Sequence, residues 1–206
     1  KQPTREAVRE VLVGAGSHGS AKLGLGMGGA LSDTLSYRVD AYGHYTNGEH
    51  DMSRASGSKL MTTLRLQPNS DLRFELLADY SKQKPERYWG TPNDNGRIVS
   101  GLRNENYNVN DSTISYEDKR LRGRAEWNAT NWLTLRDEVY YFEANRHWKN
   151  VEQYSLNAAA GTVDRSDYLE IKHNMDQTGN RLEAGIRTDR HRGVVGWEVA
   201  DRKSVV

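Results

Sequence analysis

Apolar and polar side chains alternate along this chain with a period of two, and no other feature constrains its fold as strongly. Between residues 120 and 127, Leu, Gly, Ala and Trp occupy the odd positions while Arg and Glu occupy the even ones. Between residues 72 and 80, Leu, Phe, Ala and Tyr fill the even positions, and most of the odd ones carry charge. This period is typical of a β-strand whose two faces meet different environments. The sequence therefore predicts an all-β protein.

The alternation predicts roughly nine strands that follow one another as an antiparallel up-and-down meander. The predicted strands are residues 7–16, 20–30, 35–45, 59–67, 72–80, 120–127, 133–148 and 163–188, and a ninth strand that follows a turn at 189–192. In the seventh strand, Asp137 falls on the same face as Leu135 and Val139. That position indicates either a β-bulge or a place at the rim of the sheet.

The connections between these strands fall into two size classes. Tight turns are predicted at residues 31–34, 67–71 and 129–132. Longer, polar loops are predicted at residues 48–57, 84–118 and 151–164. Outer-membrane barrels have short turns at one rim and long loops at the other, and strands of about ten residues match the ~9–11 that cross a tilted bilayer. We therefore predict that the meander is part of a large transmembrane β-barrel.

Composition narrows the classes of function without deciding between them. The 29 basic and 28 acidic residues are interleaved, a pattern that argues against a nucleic-acid partner. No apolar run approaches the ~18–20 residues of a membrane helix. Because the alternation also fits a soluble antiparallel sandwich, a soluble β-rich adhesin or carbohydrate-binding module is one alternative. A passive porin-like channel of the outer membrane is the other.

The sequence contains no pattern that predicts an enzyme. Residues 14–19 and 24–29 both match the spacing of a dinucleotide-binding glycine motif, but both lie in or beside predicted strands with no helix to hold a phosphate. The histidines lack the spacing of a zinc site or a catalytic triad. They are scattered along the chain as His18, His44, His50, His147, His173 and His191. No catalytic residue, metal site or cofactor is predicted.

Several segments, in their order along the chain, resemble the TonB-dependent siderophore receptors. Residues 1–4 are similar to the stretch that closes the plug domain in that family. Residues 29–40 resemble the hairpin that follows the plug, with Ala30 where the family usually has proline. Further similar segments are residues 87–92, 106–108, 132–136 and 179–182. The resemblance covers nearly the whole chain.

The resemblance implies how the chain is organised and where it acts. Residues 1–4 would be the end of a plug domain, and residues 5–206 the N-terminal portion of a barrel of about 22 strands. The plug, with its TonB box, would precede residue 1, and further strands would follow residue 206, so we expect a fragment of a larger receptor. Its location would be the outer membrane of a Gram-negative bacterium, among lipid and lipopolysaccharide.

The resemblance also implies the partners. Loops at the cell surface would bind a ferric siderophore, and TonB, acting through the plug, would drive its import. Because the iron would arrive already chelated, the protein would need neither metal ligands nor a cofactor of its own.

Aromatic and basic residues in the longest predicted loop form the candidate ligand-binding site. Ferric siderophores are bulky, often anionic and partly aromatic, while Tyr and Trp provide stacking area and Arg provides charge and directed donors. Two further aromatic residues, at the top of the seventh strand and in the next loop, are expected to line the same vestibule. The alternative is that these rings only pack the loop. The candidate residues are Arg87, Tyr88, Trp89, Tyr107, Trp148 and Tyr154.

Overall fold

The computed structural model describes residues 1–205 and places nine long strands in one antiparallel sheet. The strands are β1 Val8–Gly16, β2 Ser20–Ala30, β3 Leu35–Thr46, β4 Ala55–Leu66, β5 Leu72–Lys84, β6 Asn93–Asp94, β7 Arg97–Ile98, β8 Thr113–Asn128, β9 Leu133–Asn157, β10 Thr162–Arg187 and β11 Arg192–Val205. The sheet order is β1-β2-β3-β4-β5-β8-β9-β10-β11, and β6 pairs only with β7. Among residues 1–205, no helix is long and apolar enough to cross a membrane. The predicted all-β meander is confirmed.

Two strands are much longer than the alternation indicated. β8 begins at Thr113, and β9 continues to Asn157. The long loop predicted at residues 151–164 is therefore wrong, because β9 and β10 continue as a hairpin with a turn at residues 158–161. In these extensions, both faces carry polar side chains, so the pattern disappears while the backbone pairing continues.

The backbone of Asp137 lies in an uninterrupted hydrogen-bonded ladder. Asp137 pairs with Ala125 of β8 and with Leu182 of β10, and the register on both sides is continuous through it. The β-bulge alternative is therefore excluded. Asp137 lies four residues from the start of β9, which agrees with a position near the rim.

The two longer loops lie at one rim, as predicted, but two short turns share that rim with them. One rim carries only tight turns, at residues 31–34, 67–71, 129–132 and 188–191. The opposite rim carries connections of unequal length, at residues 17–19, 47–54, 85–112 and 158–161. The 85–112 segment is by far the longest of them.

Apolar side chains share one face of the sheet because the register aligns the alternation of all nine strands. Many of them are largely exposed, including Val11 at 71%, Val13 at 74% and Val195 at 70%. Within residues 1–205, no second layer packs against this face. The few buried apolar residues are Ile114, Ala144 and Val151. Such a sheet lacks the core of a soluble sandwich.

The apolar character of this face ends at a single row of residues across five strands. Tyr80 pairs with Lys119, which pairs with Glu143. Glu143 pairs with Asp176, and Asp176 with Lys203. Between this row and the short-turn rim, the face is mostly apolar; beyond it, the face is charged. The apolar face thus has the form of a bounded band, as in an outer-membrane barrel.

The opposite face is polar and is crosslinked by ion pairs between neighbouring strands. Arg65 of β4 contacts Glu75 of β5 at 2.8 Å. Glu126 of β8 accepts from Arg73 of β5 at 2.9 Å and from Arg136 of β9 at 2.7 Å. The more exposed of these pairs, between Glu126 and the two arginines, contribute little one by one, on the order of 0.2–1 kcal/mol. Their arrangement in a network across four strands favours one register.

The N-terminal segment lies across this polar face. Arg65 donates to the carbonyl of Pro3 at 3.1 Å and to the side-chain oxygen of Gln2 at 2.8 Å. Lys1 forms an ion pair with Glu10 of β1. Pro3 is buried by these contacts. The segment is therefore held by the polar face, not by the short-turn rim alone.

Candidate functional site

The segment 85–112, here called the long loop, is anchored near its start by Arg87. Its guanidinium donates to the carbonyl of Ser112, where the loop meets β8, at 2.7 Å. It also donates to the carbonyl of Met52 in the neighbouring 47–54 loop at 3.3 Å. Arg87 was predicted to contact ligand, but in the structure its donors hold the two loops and the base of β8 together.

Asn108 fixes the other end of the long loop to β9. Its side-chain nitrogen donates to the carbonyl of Arg87 at 2.7 Å and also contacts Asn150. Its side-chain oxygen accepts from the backbone N–H of Val151 at 3.1 Å. That N–H lies beyond the end of β8, whose last pair with β9 is Thr113 with Lys149. Asn108 therefore replaces the missing strand partner, as a buried backbone donor requires.

Trp89 and Trp148 bring the long loop and β9 together through their indole rings. The rings meet edge to face, with centroids 5.4 Å apart, a preferred geometry for aromatic pairs. Both indole nitrogens donate to Glu152: that of Trp89 to its carbonyl at 3.2 Å, and that of Trp148 to its carboxylate at 2.7 Å. Trp89 is 44% exposed, so part of its ring faces solvent.

Tyr154 and Tyr107 extend this cluster along β9. The Tyr154 hydroxyl donates to the carbonyl of Gly90, and its ring lies 6.2 Å from that of Tyr107. Burial raises the pKa of Tyr154 to about 12. Burial and the charge of Glu105 raise the pKa of Tyr107. Both phenols therefore remain protonated donors at neutral pH.

Tyr88 faces the neighbouring loop instead. Its ring is stacked on that of His50, with centroids 3.7 Å apart and planes 8° apart. The Nδ1 atom of His50 lies 3.6 Å from a carboxylate oxygen of Glu86. The Tyr88 hydroxyl is hydrogen-bonded to that of Thr91. This stack joins the long loop to the 47–54 loop.

The structure places the six predicted residues in the long loop and in the part of β9 that faces it, with Trp89–Trp148 and Tyr107–Tyr154 as ring pairs and Tyr88 turned towards the 47–54 loop. We call this set the aromatic cluster; its members are Arg87, Tyr88, Trp89, Tyr107, Trp148 and Tyr154. Tyr154 was expected in the loop after the seventh strand, but in the structure it belongs to β9. Three supporting residues were missed: Asn108, Glu152 and His50. Asn and Glu in a polar loop or strand extension carry no periodic signal, and His50 stood out only as one of the scattered histidines.

The cluster provides exposed aromatic surface and hydrogen-bonding groups, and no constellation for covalent chemistry. Within residues 1–205, no group of three or more His, Asp or Glu side chains is placed to hold a metal ion. The cations near the cluster are occupied: Arg165 donates to the carbonyls of Tyr107 and Asn108, and Lys149 pairs with Asp111. Such a surface can bind a ligand by stacking and by hydrogen bonds.

No family model matches the chain, and no curated protein is similar to it in sequence. Solved structures do match it. The siderophore receptor PiuA of Acinetobacter baumannii has a TM-score of 0.84 at 14% identity, covering 99% of this chain and 31% of that one. The ferric-catecholate import receptor Fiu of Escherichia coli K12 has a TM-score of 0.81 at 13% identity, covering 99% and 35%.

A third match is the pyoverdine outer-membrane receptor FpvA of Pseudomonas aeruginosa PAO1, solved with pyoverdine bound. Its TM-score is 0.77 at 18% identity, covering 99% of this chain and 32% of that one. The chain thus spans about a third of the length of the receptors it matches. At these identities the likeness concerns the fold. The chain therefore has the fold of a fragment of the β-barrel of siderophore receptors.

Proposed function

We propose that this chain is part of a TonB-dependent receptor that imports a ferric siderophore across the outer membrane of a Gram-negative bacterium. The observation that carries the proposal is the superposition of 99% of the chain on solved siderophore receptors. The protein would bind its ligand and release it by energised gating, without bond-making chemistry.

The two faces of the sheet support a position in a membrane. The exposed apolar band suits the hydrocarbon of a bilayer, and the charged row from Lys119 to Lys203 suits the headgroup region of lipid or lipopolysaccharide. The ion-paired polar face suits a hydrated barrel interior. Residues 1–3 lie on that interior face, as expected if residues 1–4 close a plug domain and residues 5–206 begin the barrel.

The aromatic cluster supports the choice of ligand class. It lies at the rim with the long connections, which in outer-membrane barrels faces the cell exterior. Trp89 presents a partly exposed ring there, and protonated Tyr hydroxyls lie beside it. An aromatic or hydroxylated iron chelate could stack on this surface. The metal would remain bound to its chelator, so the protein would supply no metal ligands.

The test is iron uptake by the full-length protein that carries this chain, produced in an iron-starved Gram-negative host that lacks its own siderophore receptors. Radioactive iron would be supplied as a catecholate, a hydroxamate or a mixed chelate. We expect import of at least one chelate in a TonB-positive strain and none in its TonB-deleted twin. Import that is indifferent to TonB would identify a passive channel. A protein recovered as a soluble monomer would identify an adhesin or binding module.

A further inference from the structure

A trough on the apolar face follows β8, where small side chains leave a depression. Gly123 and Ala125 form its floor, and Phe74, Leu76 and Val139 on the neighbouring strands form its walls. Its volume is about 420 Å³. On β8 itself, the larger Leu121 and Trp127 flank the two small residues on the same face. Its lining continues over Leu64 and Leu66 of β4 to Leu35 of β3. The trough is therefore apolar and open to the surroundings of the sheet.

The carboxylate of Asp137 lies at one side of this trough. Its hydrogen-bond partner is the side-chain amide of Asn180, at 2.6 Å. Within residues 1–205, no cationic side chain lies within ion-pair distance of it. Its neighbours in the same row of this face are apolar, namely Ala125 of β8 and Leu182 of β10. An unneutralised carboxylate facing hydrocarbon is costly, so a cationic ligand with N–H donors would fit here.

Asp137 lies near the short-turn border of the apolar band, where a lipid headgroup can reach it. Trp127 and Leu135 form the adjacent pair toward the short-turn rim, and Asp137 lies two residues further along β9, about 7 Å along the strand. Tryptophan marks the interfacial level of a bilayer. Asp137 is therefore close to the interface on the side of the short turns, which is the periplasmic side in such barrels.

We infer that this trough binds a phospholipid with a primary ammonium headgroup, of the ethanolamine class. One acyl chain would lie over Gly123 and Ala125, and the ammonium would donate to Asp137, which is held in place by Asn180. The inference rests on the proposed membrane location of the chain. It assigns a lipid of the periplasmic leaflet to a position where a headgroup without a cationic group would leave the carboxylate without a counter-charge.

The experiment is native mass spectrometry of the detergent-purified full-length receptor, titrated with phosphatidylethanolamine or phosphatidylglycerol of the same acyl composition. We expect the wild type to retain phosphatidylethanolamine about ten-fold better, as one charge-assisted hydrogen bond allows. Asp137→Asn should abolish this preference. Asp176→Asn, on the same face at the opposite border of the band, should keep it.

A second pair of variants tests the acyl chain. Ala125→Leu fills the trough and should weaken retention of both lipids, whereas Ala78→Leu, on the same face outside the trough, should weaken neither. If a wild-type receptor that still imports iron retains the two lipids equally, the result contradicts the lipid site but not the proposed function. The same conclusion follows if Asp137→Asn keeps the preference. A soluble wild-type protein would instead contradict the proposed membrane location and, with it, the site.

Discussion

Trp89 is the most exposed ring of the aromatic cluster, and its edge-to-face contact with Trp148 sets the direction in which it faces. If chelates stack on it, Trp89→Ala should weaken chelate binding by about five- to ten-fold, the scale of one lost aromatic contact. Binding of radioactive ferric chelate to isolated outer membranes measures this. Trp132→Ala, in a turn at the opposite rim, is the matched control. Unchanged affinity in Trp89→Ala would leave the ring with a packing role.

Asp111 gives the docking of the long loop a dependence on pH. Its hydrogen bond from Lys149 lowers the pKa of the carboxyl from its ordinary value of 3.8. A lowered folded-state pKa means that the contribution is complete above the ordinary value and is lost as the pH falls through the lowered one. We therefore expect the protection factors of residues 108–112, with the pH dependence of intrinsic amide exchange removed, to be lower in strong acid than at neutral pH. In Lys149→Met, these protection factors should already be low at neutral pH, and a wild-type loop with the same protection factors in acid would contradict the assignment.

At the scale of elements, the long loop and the 47–54 loop form one unit. Arg87 joins them because it donates both to the carbonyl of Ser112, at the end of the long loop, and to the carbonyl of Met52, in the 47–54 loop. Arg87→Ala leaves those carbonyls without their donor, at a cost of about 1–3 kcal/mol. We expect trypsin to cleave both loops faster in this variant. Arg97→Ala, in an exposed part of the same loop, is the control and should leave cleavage elsewhere unchanged. Faster cleavage in the long loop alone would show that the two loops are independent.

The sequence pattern predicts the bounds of some strands and not those of others. The bounds of β2 follow from the alternation of Leu23, Leu25 and Met27 with glycines, since one face is apolar along its whole length. The upper half of β9 has no such contrast. Its partners on β10 are specified by backbone hydrogen bonds that only the paired strands reveal, and the turn at residues 158–161 is what keeps them in register.

At the scale of the whole molecule, the orientation of the sheet is open to a direct test. Val199 lies on the apolar face of β11, and its neighbour Ala200 lies on the polar face. An arginine facing the middle of a bilayer from a barrel strand costs about 2–4 kcal/mol, whereas one facing the interior is tolerated. In the full-length protein, Val199→Arg should reduce the folded fraction in the outer membrane, measured by heat-modifiable mobility on gels. Ala200→Arg should leave the folded fraction unchanged. If Ala200→Arg lowered the folded fraction and Val199→Arg did not, the polar face would be the one that meets the lipid.

The candidate site was only partly open to prediction. Aromatic residues beside arginine in a polar loop are rare enough to be noticed, so Arg87, Tyr88 and Trp89 were identified as a group. Their separate tasks were not: Arg87 holds backbone carbonyls, Tyr88 stacks on a histidine of another loop, and Trp89 faces outward. Each role depends on which segments meet in space, and the local sequence does not predict those contacts.

The amino-acid sequence by itself determined the period of two, the number of long strands and the division of the chain into an apolar and a polar face. It could do so because side-chain direction alternates along any extended backbone. Only the tertiary structure decided how far β8 and β9 extend, that Asp137 lies in an unbroken ladder, and that Asn108 and Glu152 join the long loop to β9. Those features arise from pairing between residues distant along the chain, where hydrogen-bond geometry rather than local composition selects the partner.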